Sequence, residues 1–458
     1  MRVLIIFSIF LFGISVCSFS QQSSWKYEDG WALKKEPGKK RYEKFFAIGT
    51  WGVPGYKYSR ETEKDTASYN ENKRHFLEST RLFNIVIMQA GFEKPYMGEV
   101  IKMVGTSDFP NALLTHLDSD LKGKNAYVRM QHLKKITNTA PVLQKINYVR
   151  DSMAETFKGN YIWSPIDEVA NGRGWNWPVN IVEKIYTQIK QKQSHNLVYT
   201  DLMGTGKGNT FLFEQRYLKT HAALPEAPPY DFLKPEDMGY SKDSLLGFNQ
   251  AYNGLPQYEF KNGTYAYKQY SLDTLKKLWF ENIKQTAAGY KNGGDVFGVN
   301  AFLDFSRYPI LSGITVDAIK AGINKNTPVW LYFDGNGYAR GSNSIEQYTK
   351  MVKCQIYTSL IHGATGIMFW SDMTKDIANF NALLPVVEEL KNNLRIIKQK
   401  TTDQKVSGDL HYMVKKINSR RSYLIATNTG KNKTQTLKLG GKEYVLAPLE
   451  VFISEVKR

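Results

Sequence analysis

The chain has 458 residues, of which 42% are hydrophobic and 23% charged, and a formal net charge of +18. That length is too great for one ordinary core, so a large domain with a small companion is expected, and the composition excludes a disordered chain. Two cysteines exclude a disulfide framework and a cysteine-based metal cluster: Cys17 follows an N-terminal apolar run, and Cys354 stands alone in a helical pattern where it reads as inert packing.

The first residues read as an export signal. Arg2 precedes an apolar run over residues 3–16, and Ser18 and Ser20 are small residues at −3 and −1 of a cleavage after Ser20. The run is too short for a transmembrane helix. A lipoprotein anchor at Cys17 is the weaker reading, because Val16 stands where a small residue is expected. Residues 1–20 are therefore taken as a signal peptide directing the chain to the periplasm or the outside, with no integral membrane segment in the mature chain. The positive charge suits anionic glycans or the envelope surface. Because the lysines are scattered, a solvated basic surface is the simpler account, and nucleic acid is not an expected partner. Residues 21–44 are polar and read as an N-terminal extension or tether.

From residue 45 short apolar runs alternate with amphipathic stretches, the pattern of a parallel α/β sheet. The runs cover residues 45–51, 84–91, 111–118, 160–169, 196–203, 295–304, 328–334 and 366–372. Helical stretches are predicted over 70–83, 134–157, 178–191, 271–290, 309–323, 345–361 and 376–399, with Ser271 as an N-cap. Eight strand runs, nearly all followed by a helix, are the count of a (β/α)8 TIM barrel over residues 45–400. A long insertion rich in Gly, Pro and Tyr spans residues 204–270; loops of that length usually carry function or are disordered. The open doubly wound alternative lacks its phosphate loop, since Gly204-Thr-Gly-Lys-Gly208 has neither the spacing nor the ending. Residues 401–458 change to short strands with Gly and Asn turns, a small C-terminal antiparallel β-domain whose simplest role is structural. Its strands are predicted over 409–417, 422–427, 433–439 and 442–456.

A TIM barrel carries its chemistry at the C-terminal ends of its strands. Here those ends form a ring of acids: Asp118, Asp167 and Glu168, Asp201, Asp304, Asp334 and Asp372. Carboxylates seldom end apolar strands in such number unless they are paired or used. Glycoside hydrolysis needs two carboxyls flanking the scissile bond. Glu168 suits the general acid, with Trp163, Trp175 and Trp177 nearby in sequence to supply the apolar surface that raises a carboxyl pKa. Asp334 or Asp304 is the second carboxylate, acting as nucleophile or activating water. Trp370, Trp175 and Trp51 lie near strand ends as candidates to stack on sugar, and Asp167, Asp118 and Asp201 as candidate substrate contacts. Trp330, early in its run, reads as core. Arg340 reads as a salt-bridge partner of the acid ring.

The chain resembles the superfamily of retaining (β/α)8-barrel glycoside hydrolases with the acid/base at strand four and the nucleophile at strand seven. Asp167-Glu168 stands where that superfamily shows Asn-Glu, and Phe369-Trp370 resembles its sugar-floor Trp. The resemblance implies a cofactor-free hydrolase acting on a polysaccharide or oligosaccharide. Two departures stand out: Asp167 replaces Asn, and Asp334 replaces a Glu one methylene longer.

Other chemistries fit less well. His116 and Asp118 share a strand face but lack a third ligand, and neither HExxH nor GxSxG occurs, so no metal site is assigned. His362 reads as structural. The rival from another class is a non-catalytic glycan-binding protein on the same barrel. A polysaccharide lyase is a third reading, and needs a base facing a uronate.

Overall fold

A computed structural model of the chain describes residues 24–36, 38–51, 82–89, 112–116, 162–166, 169–171, 175–176, 179–202, 258–261, 264–267, 271–301, 305–306, 308–335, 337, 340, 343–370 and 377–457. In chain order, an antiparallel sheet comes first: β1 (Ser24–Glu28), β2 (Trp31–Lys35) and β3 (Glu43–Phe45). Next come β4 (Ala47–Trp51), β5 (Ile85–Gln89) and β6 (Ala112–His116), then a two-residue hairpin pair, β7 (Ala170–Asn171) and β8 (Trp175–Asn176). Helix α1 (Val179–Lys192) leads to β9 (Tyr199–Asp201). An antiparallel hairpin, β10 (Tyr258–Lys261) and β11 (Thr264–Tyr267), lies inside the expected insertion. Helix α2 (Leu272–Gly289), β12 (Val296–Asn300), α3 (Ile310–Gly322), β13 (Val329–Asp334), α4 (Ile345–Ile361), β14 (Gly366–Trp370) and α5 (Ile377–Ile397) follow in strict alternation.

Seven of these strands form one sheet in the order β6-β5-β4-β14-β13-β12-β9, with every pairing parallel. A parallel bridge from Trp163 to Val198 adds the fourth expected run beside β9. The first and eighth runs are thus neighbours within one parallel sheet. All eight expected runs contain strand or bridge, and five expected helices are present within one or two residues of their predicted ends. The helices expected over 70–83 and 134–157 lie outside the described residues. The Ser271 hydroxyl accepts from the Thr274 amide at 3.2 Å, as an N-cap does.

Alternation along the strands divides the apolar residues between two cores. Val329, Leu331 and Phe333 of β13, Ile367 and Phe369 of β14 and Phe297 and Val299 of β12 pack outward against the helices. Trp330, Tyr332, Tyr199, Met368, Val296, Ala47 and Ile85 pack inside the sheet's curve. Room for these large side chains comes from glycine: a Cβ at Gly366 would meet the Trp330 ring, and one at Gly298 would meet the Tyr199 hydroxyl and the Trp330 carbonyl.

Residues 24–44, within the stretch 21–44 expected as a polar extension or tether, are folded with Phe45 onto the bottom of this inner core, and the first expected run, 45–51, is split between the end of β3 and β4. Trp25 and Phe45 belong to it, with ring centroids 4.9 Å apart and nearly perpendicular planes. Phe45 touches Trp330, which stacks on Tyr199, which meets Tyr332, an aromatic ladder rising from the plug. Backbone bonds from Trp25 to His195 and from Gly30 to Asn326 tie the sheet to the loops that enter β9 and β13. Polar composition concealed this because only one face of β1–β3 is apolar.

After α5 the C-terminal strands are β15 (Thr401–Ser407), β16 (Leu410–Lys416), β17 (Arg421–Asn428), β18 (Gln435–Leu439), β19 (Lys442–Leu446) and β20 (Val451–Lys457). β15-β16-β17-β20 form one antiparallel sheet and β18-β19 a hairpin. The single strand expected over 442–456 is two, broken where Leu449 takes a positive φ of 59°. β15, polar and exposed along nearly its whole length, gave no apolar signal. One face of the sheet has its own core around Leu424 and Leu446, while Met413 and Ile425 join the barrel's outer core. α4 carries the contact: Thr358 meets Thr427 at 3.1 Å and Cys354 Sγ lies 3.5 Å from the Asn428 carbonyl. Burial pushes the Cys354 thiol up to about 12, so it is inert packing as expected.

Candidate active site

The inner face of the sheet changes character at the C-terminal strand ends. On β13 the inward positions run Trp330, Tyr332, Asp334; on β9 they run Leu197, Tyr199, Asp201; on β14 they end Met368, Trp370. Both Asp334 and Asp201 are 0% exposed. Trp370 is half-buried, packs against the inner core, and stands in register with Asp334 on one side and Trp51 on the other. A carboxylate and an indole thus end neighbouring strands on the same face.

The backbone at these positions is held firmly. The Tyr348 hydroxyl of α4 donates to the Asp334 carbonyl at 2.6 Å, and the Gly335 amide donates to the Trp370 carbonyl at 2.9 Å. On β9 the Asp201 carbonyl accepts from the Val169 amide at 2.9 Å, and the Val169 carbonyl accepts from the Tyr290 hydroxyl at 3.1 Å. The residue following Glu168 is therefore pinned to the end of β9. Burial pushes the Tyr290 phenol upward, keeping it a neutral donor there. Beyond Val169 the chain enters the β7–β8 hairpin.

Of the expected site residues, the structure brings Asp201, Asp334 and Trp370 to one end of the inner face. Trp51 and Trp175 lie on β4 and β8, with backbone positions alone described. Glu168, Asp167, Asp304 and Asp118 lie outside the described residues, as does Asp372. Trp330 is fully buried in the inner core, as expected. Arg340 departs from expectation: its guanidinium bonds to the Asn343 carbonyl at 2.8 Å and to Asn379 Oδ1 at 3.2 Å, tying the loop after β13 to α5. The reading that it salt-bridges the acid ring looked only at sequence proximity.

Asn300 was missed. It ends β12 on the inward series Val296, Gly298, Asn300 and is partly exposed there. The signal was the same alternation that marks the acids, but a search confined to carboxylates passes over an amide. His362 is structural, as expected: Nδ1 lies 2.7 Å from Asp317 and Nε2 lies 2.8 Å from Nδ1 of His411 on β16. Among the described residues no three His, Cys, Asp or Glu side chains converge as a metal site would require, and no helix is long and apolar enough to cross a membrane.

No family model matches the chain, and no curated protein does. Solved structures do. An α-amylase from Anoxybacillus aligns with a TM-score of 0.50 and 8% identity over 90% of this chain and 98% of that one. A family 39 glycoside hydrolase from Bacteroides cellulosilyticus aligns at 0.46 and 9%, over 95% and 88%. An endo-β1,6-glucanase aligns at 0.40 and 8%, over 94% and 92%. At such identities the likeness is one of fold alone: a parallel α/β sheet with added antiparallel sheets.

Proposed function

We propose that the chain is an exported glycoside hydrolase that cleaves a polysaccharide or oligosaccharide with a pair of carboxyl groups at the mouth of a closed barrel. The observation that carries this reading is Asp334, fully buried at the inner end of β13 and in register with Trp370. A carboxylate beside an indole is what an oxocarbenium-like transition state on a stacked sugar calls for. Glu168 is assigned as general acid/base and Asp334 as nucleophile, giving retention. Asp304 is the alternative second carboxylate, and inversion would follow if it activates water. Trp370, Trp175 and Trp51 supply stacking surface, and Asp167, Asp118 and Asp201 hydrogen-bond the substrate. The hairpin β10–β11 of the insertion contributes to the cleft wall.

A panel of plant, host and microbial glycans, assayed for released reducing ends, tests the reading. Wild-type release that falls by about 10²- to 10⁴-fold in Glu168→Gln, on a glycan with a poor leaving group, is the expected result. Full turnover in that variant would remove Glu168 from the role. Binding without release by the wild type across the panel would favour the glycan-binding alternative.

A further inference from the structure

The mouth is acidic where it is described; the opposite end is basic. The sheet β1–β3 that plugs the barrel bottom exposes Lys26, Lys39, Lys40, Arg41 and Lys44. The loops and helix ends beside it add exposed Lys192, Lys325 and Lys400. Acids on the sheet are few and partly spent: Glu28 pairs with Lys26 at 2.6 Å and Glu36 with Lys34 at 2.6 Å, leaving Asp29 and Glu43.

Some of these lysines have local work. Lys44 donates to the Lys398 carbonyl at the end of α5 (3.0 Å), and Lys415 to Gln399 (3.2 Å), so both neutralise a helix C-terminus. The β2–β3 turn differs. Among the described residues Lys39, Lys40 and Arg41 make no ion pair, and all three are exposed. Beside them Tyr42 receives two cations over its ring, Lys26 at 5.1 Å and Lys35 at 5.3 Å. Cations laid over aromatic rings at an exposed edge suit the headgroup region of a membrane, where both are favoured.

The chain path points the same way. Seven residues separate the apolar run ending at Val16 from β1, and they span at most about 25 Å when fully extended. If Cys17 is kept as an anchor, the basic sheet is the part of the fold held nearest the membrane. If the leader is removed, charge alone must hold it there.

We infer that the β1–β3 face is a docking surface for an anionic lipid membrane, seating the protein bottom-down so that the barrel mouth faces away from the bilayer. The inference is independent of the glycosidase reading, since binding and turnover are scored separately. The exported protein, purified without detergent, is sedimented with vesicles of phosphatidylglycerol and phosphatidylcholine, and with phosphatidylcholine alone. The expected result is binding to the anionic vesicles at about 50 mM salt that is lost at about 500 mM, as screening demands. The triple reversal Lys39→Glu, Lys40→Glu, Arg41→Glu should weaken it at least about tenfold. The equal reversal Lys433→Glu, Lys438→Glu, Lys442→Glu, in and just before the β18–β19 hairpin, should leave it within about twofold. Equal loss in the two triple variants, equal binding to neutral vesicles, or capture of a soluble anionic polysaccharide without vesicle binding would each overturn the inference.

Discussion

The two ends of the parallel sheet's inner face are built from the same strands and the same alternation, yet they are filled oppositely. At the bottom the inward positions hold Trp330 and Tyr199, sealed by Trp25 and Phe45 of the β1–β3 sheet. Four residues past Trp330 on β13 and two past Tyr199 on β9 the inward positions become Asp334 and Asp201. A single strand therefore packs apolar bulk over its first half and ends on a buried carboxylate. The lesson is that position along a strand, more than residue type, separates the two tasks: Trp330 and Trp370 are both inward indoles, but one is fully buried and the other borders the mouth.

That contrast is open to direct attack. Asp334→Asn should lower turnover by about 10³-fold, the scale of a lost catalytic carboxyl, while thermal unfolding moves by only a few degrees. A large fall in melting temperature with turnover per folded molecule unchanged would return Asp334 to the stabilising half. Trp330→Ala should do the reverse, costing about 3–5 kcal/mol in denaturant unfolding with kcat of the remaining folded enzyme preserved. Trp25→Ala should cost about 3 kcal/mol by the same measure if the N-terminal sheet belongs to the inner core; a change below about 0.5 kcal/mol would make that sheet a surface appendage.

A subtler test concerns the seam between the barrel and the β-domain. Burial, with a further push from the charge of His362, lowers the His411 pKa to about 3 from the usual 6.5. The unfolded chain therefore binds a proton that the folded chain refuses between those values. Stability should be level above about pH 6.5 and fall as pH drops toward 3, by up to about 1.4 kcal/mol per pH unit from this group. His411→Gln should flatten that part of the profile in urea titrations. Smallest of all, Ser271→Ala should cost about 1 kcal/mol by removing the α2 cap, with no effect on turnover.

Much of this was legible beforehand, for identifiable reasons. Fully buried parallel strands read as continuous apolar runs, so β13 and β14 were found to within two residues and β12 was found at its start but run four residues past its end. Helix α4 was placed at its observed ends; Ser344 caps it and Gly363, with a positive φ, follows it. What escaped was amphipathic in a way composition averages out. β1–β3 buries Trp25, Ala32 and Phe45 among many lysines, and β15 exposes nearly everything. At the site, the acids at strand ends were readable from spacing alone. Asn300 needed the inward register of its strand, and the bonds of Arg340 to Asn343 and Asn379 needed a loop path that spacing does not encode.

The plug has a bearing on the order of events as the chain is made. β4 pairs in register with β14, so the earliest barrel strand waits for residues 366–370 before its second neighbour exists. Trp25 and Phe45 seat against Trp330 and the loop at His195, which are synthesised far later than they are. The segment that emerges first from the ribosome is thus among the last to reach its place, and its contacts span hundreds of residues. A chain arranged in this way keeps its N-terminus unoccupied until synthesis is nearly done.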